Sequence, residues 1–303
     1  MNMSLILGCG APGLVNGVPN ALQLSLVVEG AMAQLNQQNC AAALSSLSPL
    51  YNSTYTNNAI RMATASAYAC FAQLKVLSVA LNLTQFQGSL GGAGLWTFLV
   101  QEFPSTASPD DRIPESAENG IDAVLAAVNP GAVIATSDWI NKSTFNPGVL
   151  LSSERIDDAN SYLTFLSMAL IGSLLNRYGA PYPNYKRSVA LPWTSASATK
   201  GDGCAMAAAM LNFFDGISFL SSTASGTTGA AFTSVGTLLT AGLGLACEAG
   251  CLACAAAGSS VSCTGCPLNL RDRSSCTGQN SDVNSCAAAG IASFINSSWS
   301  VGP

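Results

Sequence analysis

The chain contains no histidine. Ser-His-Asp and Cys-His nucleophile systems are thereby excluded from its 303 residues, as is every metal site that draws on imidazole. Charge is almost as scarce. Eleven basic and sixteen acidic residues make up 9% of the sequence, against about 25% in an average domain. A net charge of −5 argues against nucleic acid as a partner, which would need a basic stripe to neutralise its phosphates. Adhesion to an acidic lipid surface by charge is disfavoured for the same reason. Walker-type loops and Gly-x-Ser-x-Gly are missing too. No run reaches the ~20 predominantly apolar residues of a membrane span. The nearest, Ala230 to Ala257, is diluted by Thr, Ser and Gly and interrupted by Glu248. Alternating β-branched residues are nearly absent, so the fold class is all-α.

What is present is small and apolar. Apolar residues reach 49%, ample for a core in one or two domains, and many are alanines suited to close helix packing. Helices are expected over Leu22–Gln37, Cys40–Tyr51 (ending near Pro49), Asn58–Leu81 (straight or kinked), Gly91–Glu102 and Glu115–Val128. Ser153–Tyr178 has the clearest signals: Glu154, Asp157 and Asp158 in its first turns and Arg177 in its last. Gly179 then stands where a left-handed cap belongs, with Pro181 beyond. Asp202 opens Cys204–Leu220 in the same way, and 229–257 and 283–297 complete the series. The carboxylates at Asp110/Asp111/Glu115/Glu118 and Glu154/Asp157/Asp158 are of the type a paired-acid glycosidase uses. Both groups lie at expected helix starts, where acids favour the dipole, and capping is the simpler account.

Eleven cysteines is an odd count. Setting Cys9 aside leaves Cys40, Cys70, Cys204, Cys247, Cys251, Cys254, Cys263, Cys266, Cys276 and Cys286, a set that can pair completely into disulfides. Cys40 and Cys70 lie equally far from the turn-rich Asn52–Asn57 stretch, so an antiparallel helix hairpin brings them together. That disulfide is expected. The others crowd towards the C-terminus, with Cys247, Cys251 and Cys254 on one helical stripe. Cys251-x2-Cys254 and Cys263-x2-Cys266 also have spacing that can enclose zinc or an iron–sulfur cluster. The extra cysteines nearby favour a disulfide cluster, with no metal and no cofactor.

Leu5-Ile6-Leu7-Gly8-Cys9 resembles the lipobox of a bacterial lipoprotein. That resemblance implies lipidation of Cys9, a cell-envelope location at a membrane (the outer membrane, on its periplasmic or surface face), and an oxidising surrounding for the rest. Residues 10–20 then read as a Gly/Pro/Asn tether. Cys40-Ala-Ala-Ala-Leu-Ser-Ser-Leu-Ser-Pro-Leu-Tyr51 and Asn58-Ala-Ile-Arg-Met-Ala-Thr-Ala-Ser-Ala-Tyr-Ala-Cys-Phe-Ala72 together resemble a degenerate tetratricopeptide-type repeat, with Ala42, Ala43, Leu47, Ala59, Ala63, Ala67 and Tyr68 at its small and aromatic positions. The resemblance covers roughly 25–72 and implies helical-hairpin packing. The expected organisation is a truncated signal and tether over 1–20, a TPR-like helical domain over 21–200, and a Cys-rich helical region over 201–303 packed on it.

One loop stands out. Asn176 to Trp193 gathers Tyr178, Tyr182, Tyr185 and Trp193 with Arg177, Lys186 and Arg187, in a chain poor in both kinds. Aromatic and Arg side chains together are enriched at binding hot spots, so Arg177, Tyr182, Tyr185 and Trp193 are the expected binding residues. A Pro-braced connection whose aromatics cover the core is the competing account. The sequons headed by Asn52, Asn82, Asn141 and Asn296 fit chance in so Ser/Thr/Asn-rich a chain. The expectation is a non-enzymatic envelope lipoprotein acting as a protein-binding scaffold, for an envelope partner or for itself. The alternative is a small-ligand carrier with a pocket between helices.

Overall fold

The structure is a computed structural model. It describes residues 21–51, 57–85, 92–105, 112–128, 153–181, 183–194, 197–223, 273–276 and 281–302, with scattered positions between 226 and 236. Among these residues the chain is all-α: α1 (Ala21–Asn36), α2 (Cys40–Tyr51), α3 (Asn58–Phe71), α4 (Val76–Gln85), α5 (Gly92–Glu102), α6 (Ile113–Val128), α7 (Ser153–Gly179), α8 (Lys200–Thr223) and α9 (Ser281–Ser298), with a 3-10 turn at Arg273–Cys276. None of the described helices is long and apolar enough to cross a membrane. Cys9, Cys247, Cys251, Cys254, Cys263 and Cys266 lie outside the described residues, as does most of the helix expected over 229–257.

Local signals explain most boundaries. Asn39 accepts the Ala42 N–H and Asn57 accepts the Ile60 N–H, at 3.3 and 3.0 Å, so each satisfies an orphan donor at a helix start. α6 begins at Ile113 and not at Glu115, because Pro114 lies in its first turn, where no N–H is required.

Two expectations need correction. Residues 58–81 form two helices, because the backbone reverses at Gln73, in the left-handed region with φ 56°. The Gln73 N–H donates to the Cys70 carbonyl and the Leu74 N–H to that of Ala69, a Schellman-type closure. Gly179 is likewise not the left-handed cap of α7. Ala180 takes that role at φ 42°, and Gly179 serves close packing: a β-carbon there would clash with the Trp299 ring.

α1, α2 and α3 pack mutually around a small core of Ala31, Ala43, Leu47, Ile60, Ala63 and Ala67. The Cys40–Cys70 disulfide joins the start of α2 to the end of α3 at a Cα separation of 5.6 Å. A larger core then runs from Ala65 in α3 to Trp299 after α9. α7 is its axis, packed against α5, α6 and α8, while α6 rests on α3 and α9 on α8. Leu99, Leu166, Met168, Ile171, Leu174, Met210, Ile291 and Ile295 are at most 1% exposed. Each such side chain contributes about 1.5–3 kcal/mol when fully buried.

Small residues set the spacing. At Gly216 a β-carbon would collide with the Thr164 side chain, and at Gly172 with the Leu99 carbonyl. At the α7–α8 crossing the Thr164 side chain occupies the room that Gly216 leaves, and at the α5–α7 crossing Gly172 lets the Leu99 backbone come close.

Candidate functional site

The 176–193 loop leaves α7 and returns to α8, and its residues have separate destinations. Asn176, still within α7, donates its amide to the carbonyls of Val100 (2.8 Å), Phe103 (3.0 Å) and Gly172 (3.1 Å). Two of these belong to the end of α5, whose carbonyls would otherwise be unpaired. Arg177 crosses to α6 and meets Glu115 at 2.7 Å. The Tyr178 hydroxyl donates to Asp202 in the first turn of α8. Trp193 is 3% exposed and stacks edge-on against Tyr178, with ring centroids 5.1 Å apart. Gly203 makes room for it, since a β-carbon there would lie 2.9 Å from that of Trp193.

The middle of the loop is clasped by the C-terminal segment. Arg187 donates from its guanidinium to the carbonyls of Trp299 (2.9 Å) and Asn296 (2.6 Å), and pairs through its backbone with residues 300–302 in a short parallel bridge. The Trp299 indole N–H donates to the Tyr185 carbonyl at 3.0 Å. Asn296 accepts the Leu191 N–H at 2.9 Å and donates to the Leu191 carbonyl at 3.3 Å. The Asn296 amide is thus engaged on both sides, and the Asn82 amide donates to Glu102 at 2.9 Å. Of the four expected binding residues, Arg177 and Trp193 turn inward. Tyr185 is 38% exposed, with φ 60°, and Tyr182 lies outside the described residues.

What the loop feeds is a polar junction that sequence reasoning does not assemble. Arg273, in the 3-10 turn, donates its backbone N–H and its Nε to the two oxygens of Glu118, at 2.8 and 2.7 Å. Its other nitrogens reach Glu118 at 2.6 Å, Asp202 at 2.9 Å and Glu115 at 3.9 Å. Three carboxylates and two guanidinium groups therefore meet where α6, α7, α8 and the turn converge. The disulfide Cys204–Cys276 locks that convergence, with Cα atoms 5.9 Å apart and both cysteines 0% exposed.

The electrostatics follow from this arrangement. Burial alone would raise the Glu115 carboxyl, but hydrogen bonding from Arg177 and the charges of Arg177 and Arg273 outweigh it and hold it below its ordinary value. The Tyr178 phenol is pushed above its usual range, first by burial and then by its bond to the Asp202 carboxylate. Each ionisable group is committed to another, so the junction as arranged staples helices together.

In the sequence Glu115 and Glu118 read only as helix-start acids. Their spacing of three residues on one face, in a chain with so few charges, is the signal that could have found them. Their partners Arg177 and Arg273 are too distant in sequence to be matched by pattern. Among the described residues, no group of three or more Cys, Asp or Glu is arranged to hold a metal ion. Cys286 is also disulfide-bonded. Since the other described cysteines pair with one another, its partner lies outside the described residues.

No protein-family model matches the chain, and no curated protein or solved structure matches it.

Proposed function

We propose that this chain is a non-enzymatic component of a bacterial cell envelope, held at a membrane by a lipid on Cys9. Its helical body serves as a scaffold for another envelope protein or for a second copy. The observation that carries the reading is the state of the sulfur. All five described cysteines are disulfide-bonded, and such bonds persist in oxidising compartments. If the remaining C-terminal cysteines pair in the same way, the odd one is Cys9, which follows the lipobox-like run. The scaffold role is supported by where part of the scarce charge goes: Glu115, Glu118, Arg177, Asp202 and Arg273 join helices and the 273–276 turn to one another. The outer side of α1 also leaves Leu22, Leu26 and Met32 exposed, at 68%, 57% and 42%, and exposed apolar residues are the raw material of contacts with partners.

Metabolic labelling with an alkyne fatty acid, comparing the parent with Cys9→Ser, tests the anchor. Label and membrane retention in the parent, both lost in the variant, are the expected results. Equal labelling of the two, or native material with free thiols at the described cysteines, would remove the basis of the reading. A photo-crosslinker at Leu26 tests the scaffold role in cells. A single defined adduct with an envelope protein or with a second copy supports it, and the absence of any adduct at positions 22, 26 and 32 contradicts it.

A further inference from the structure

We propose that the cleft at the α3–α4 turn binds a small zwitterion with an apolar body, the chemistry of a free apolar α-amino acid. The cleft has a volume of about 300 Å³, at the lower end of the ~300–1,000 Å³ of small-molecule sites. The turn and the start of α4 form one side, and the end of α5 with the start of α6 forms the other. Ala72, Val79 and Phe103 lie at its base and are 1–3% exposed, and Gln73, Ser78 and Gln101 line it with polar side chains.

Two opposite charges line the same cleft from different elements, Lys75 before α4 and Glu102 at the end of α5. They do not neutralise one another, for no ion pair within 4.0 Å joins them. Glu102 is oriented from behind, since the Asn82 amide donates to its Oε1 at 2.9 Å, and its second oxygen has no protein partner among the described residues. Lys75 has none there for its ammonium. In a chain with eleven basic and sixteen acidic residues, two opposite charges left uncommitted over an apolar base form a complementary pair of handles.

A zwitterion answers both. Its carboxylate accepts from Lys75, its ammonium donates to Glu102, and its apolar side chain covers Val79 and Phe103. Charge-assisted bonds of this kind are about twice as strong as neutral ones. A simple carboxylate or a simple amine would satisfy one handle and leave the other unanswered. This binding does not depend on the anchor or on the scaffold role, and it holds whether or not Cys9 carries a lipid.

The test is calorimetric titration of the oxidised full chain with L-valine, L-leucine and L-phenylalanine, and with the blocked forms N-acetyl-L-leucine and L-leucinamide. At least one free amino acid is expected to bind saturably, with each blocked form of leucine about tenfold or more weaker than leucine. Lys75→Met and Glu102→Gln should each lose about as much. Both variants should keep the parental melting temperature, because Lys75 is exposed and glutamine retains an acceptor for Asn82. No saturable heat from any of the three at millimolar concentration overturns the proposal. So does equal binding of the blocked forms, or unchanged affinity in both variants.

Discussion

Arg273 and Glu118 meet through both backbone and side chain: the N–H and the Nε of the arginine each donate to a different oxygen of the one carboxylate. Glu118 is 7% exposed, so removing Arg273 would leave a nearly buried charge uncompensated. Breaking a fully buried pair costs about 3–5 kcal/mol. The Arg273 side chain is 38% exposed, which lowers the expected cost of Arg273→Ala to about 2–3 kcal/mol. Replacing both partners by leucine should recover part of that loss, because Asp202 still lacks its 2.9 Å partner. Urea denaturation of the two single variants and the double checks it, and a double variant as unstable as Arg273→Ala would contradict the account.

Acid should loosen the same junction. The folded-state pKa of Glu115 is depressed below its ordinary 4.5, so its stabilising contribution is fully present above that value. It is lost as pH falls through the lower, folded value. Stability measured from pH 6 downward should decline more steeply in the parent than in Glu115→Gln, whose curve starts lower and runs flatter. Parallel curves would show that Glu115 contributes nothing to the acid limb.

The helices and one disulfide were legible in the sequence because their signals are local. The composition of Asn52–Asn57 marks the break between α2 and α3, and equal sequence distances from it bring Cys40 and Cys70 together. A kink within 58–81 was legible, but not a full break at Gln73, because glutamine is no helix breaker and its left-handed φ goes with the two hydrogen bonds that close α3. Gln38 closes α1 with the same pattern, at φ 58°. Gly179 misled for a related reason. A glycine permits either a left-handed backbone or a close approach, and only Trp299, distant in sequence, decides between them. The aromatic and basic content of the 176–193 loop was visible at once. Its destinations were not, since Glu115, Asp202, Asn296 and Trp299 are scattered over most of the chain.

The two described disulfides should differ in both worth and access. In the loop-entropy picture, the sequence separation of 72 between Cys204 and Cys276 corresponds to about 4.4 kcal/mol, and the separation of 30 between Cys40 and Cys70 to about 3.6 kcal/mol. Access reverses more sharply, because Cys204 and Cys276 are 0% exposed while Cys40 and Cys70 are partly exposed. Under native conditions a water-soluble phosphine should open Cys40–Cys70 first. Mass spectrometry after timed alkylation reads the order directly. Simultaneous opening would mean that Cys204–Cys276 is reached through a local opening of the 273–276 turn.

Two glycine-to-alanine exchanges should have opposite signs. Gly30 lies in α1, and a β-carbon added there would meet nothing within 4 Å, so alanine should stabilise by about 0.5–1 kcal/mol through helix propensity alone. At Gly172 the same carbon would overlap the Leu99 carbonyl and lie 2.9 Å from Cβ of Phe103. The helix propensity gain is the same, but α5 must move away from α7, and overpacking of this kind costs about 1–3 kcal/mol. That movement also strains the Asn176 bonds to Val100 and Phe103 one turn later. Gly172→Ala and Asn176→Ala act on one contact, so their combined effect should fall short of the sum. Thermal unfolding of the three single variants and the pair measures all of this. A neutral Gly172→Ala would mean that α5 and α7 are farther apart than their glycine crossing implies.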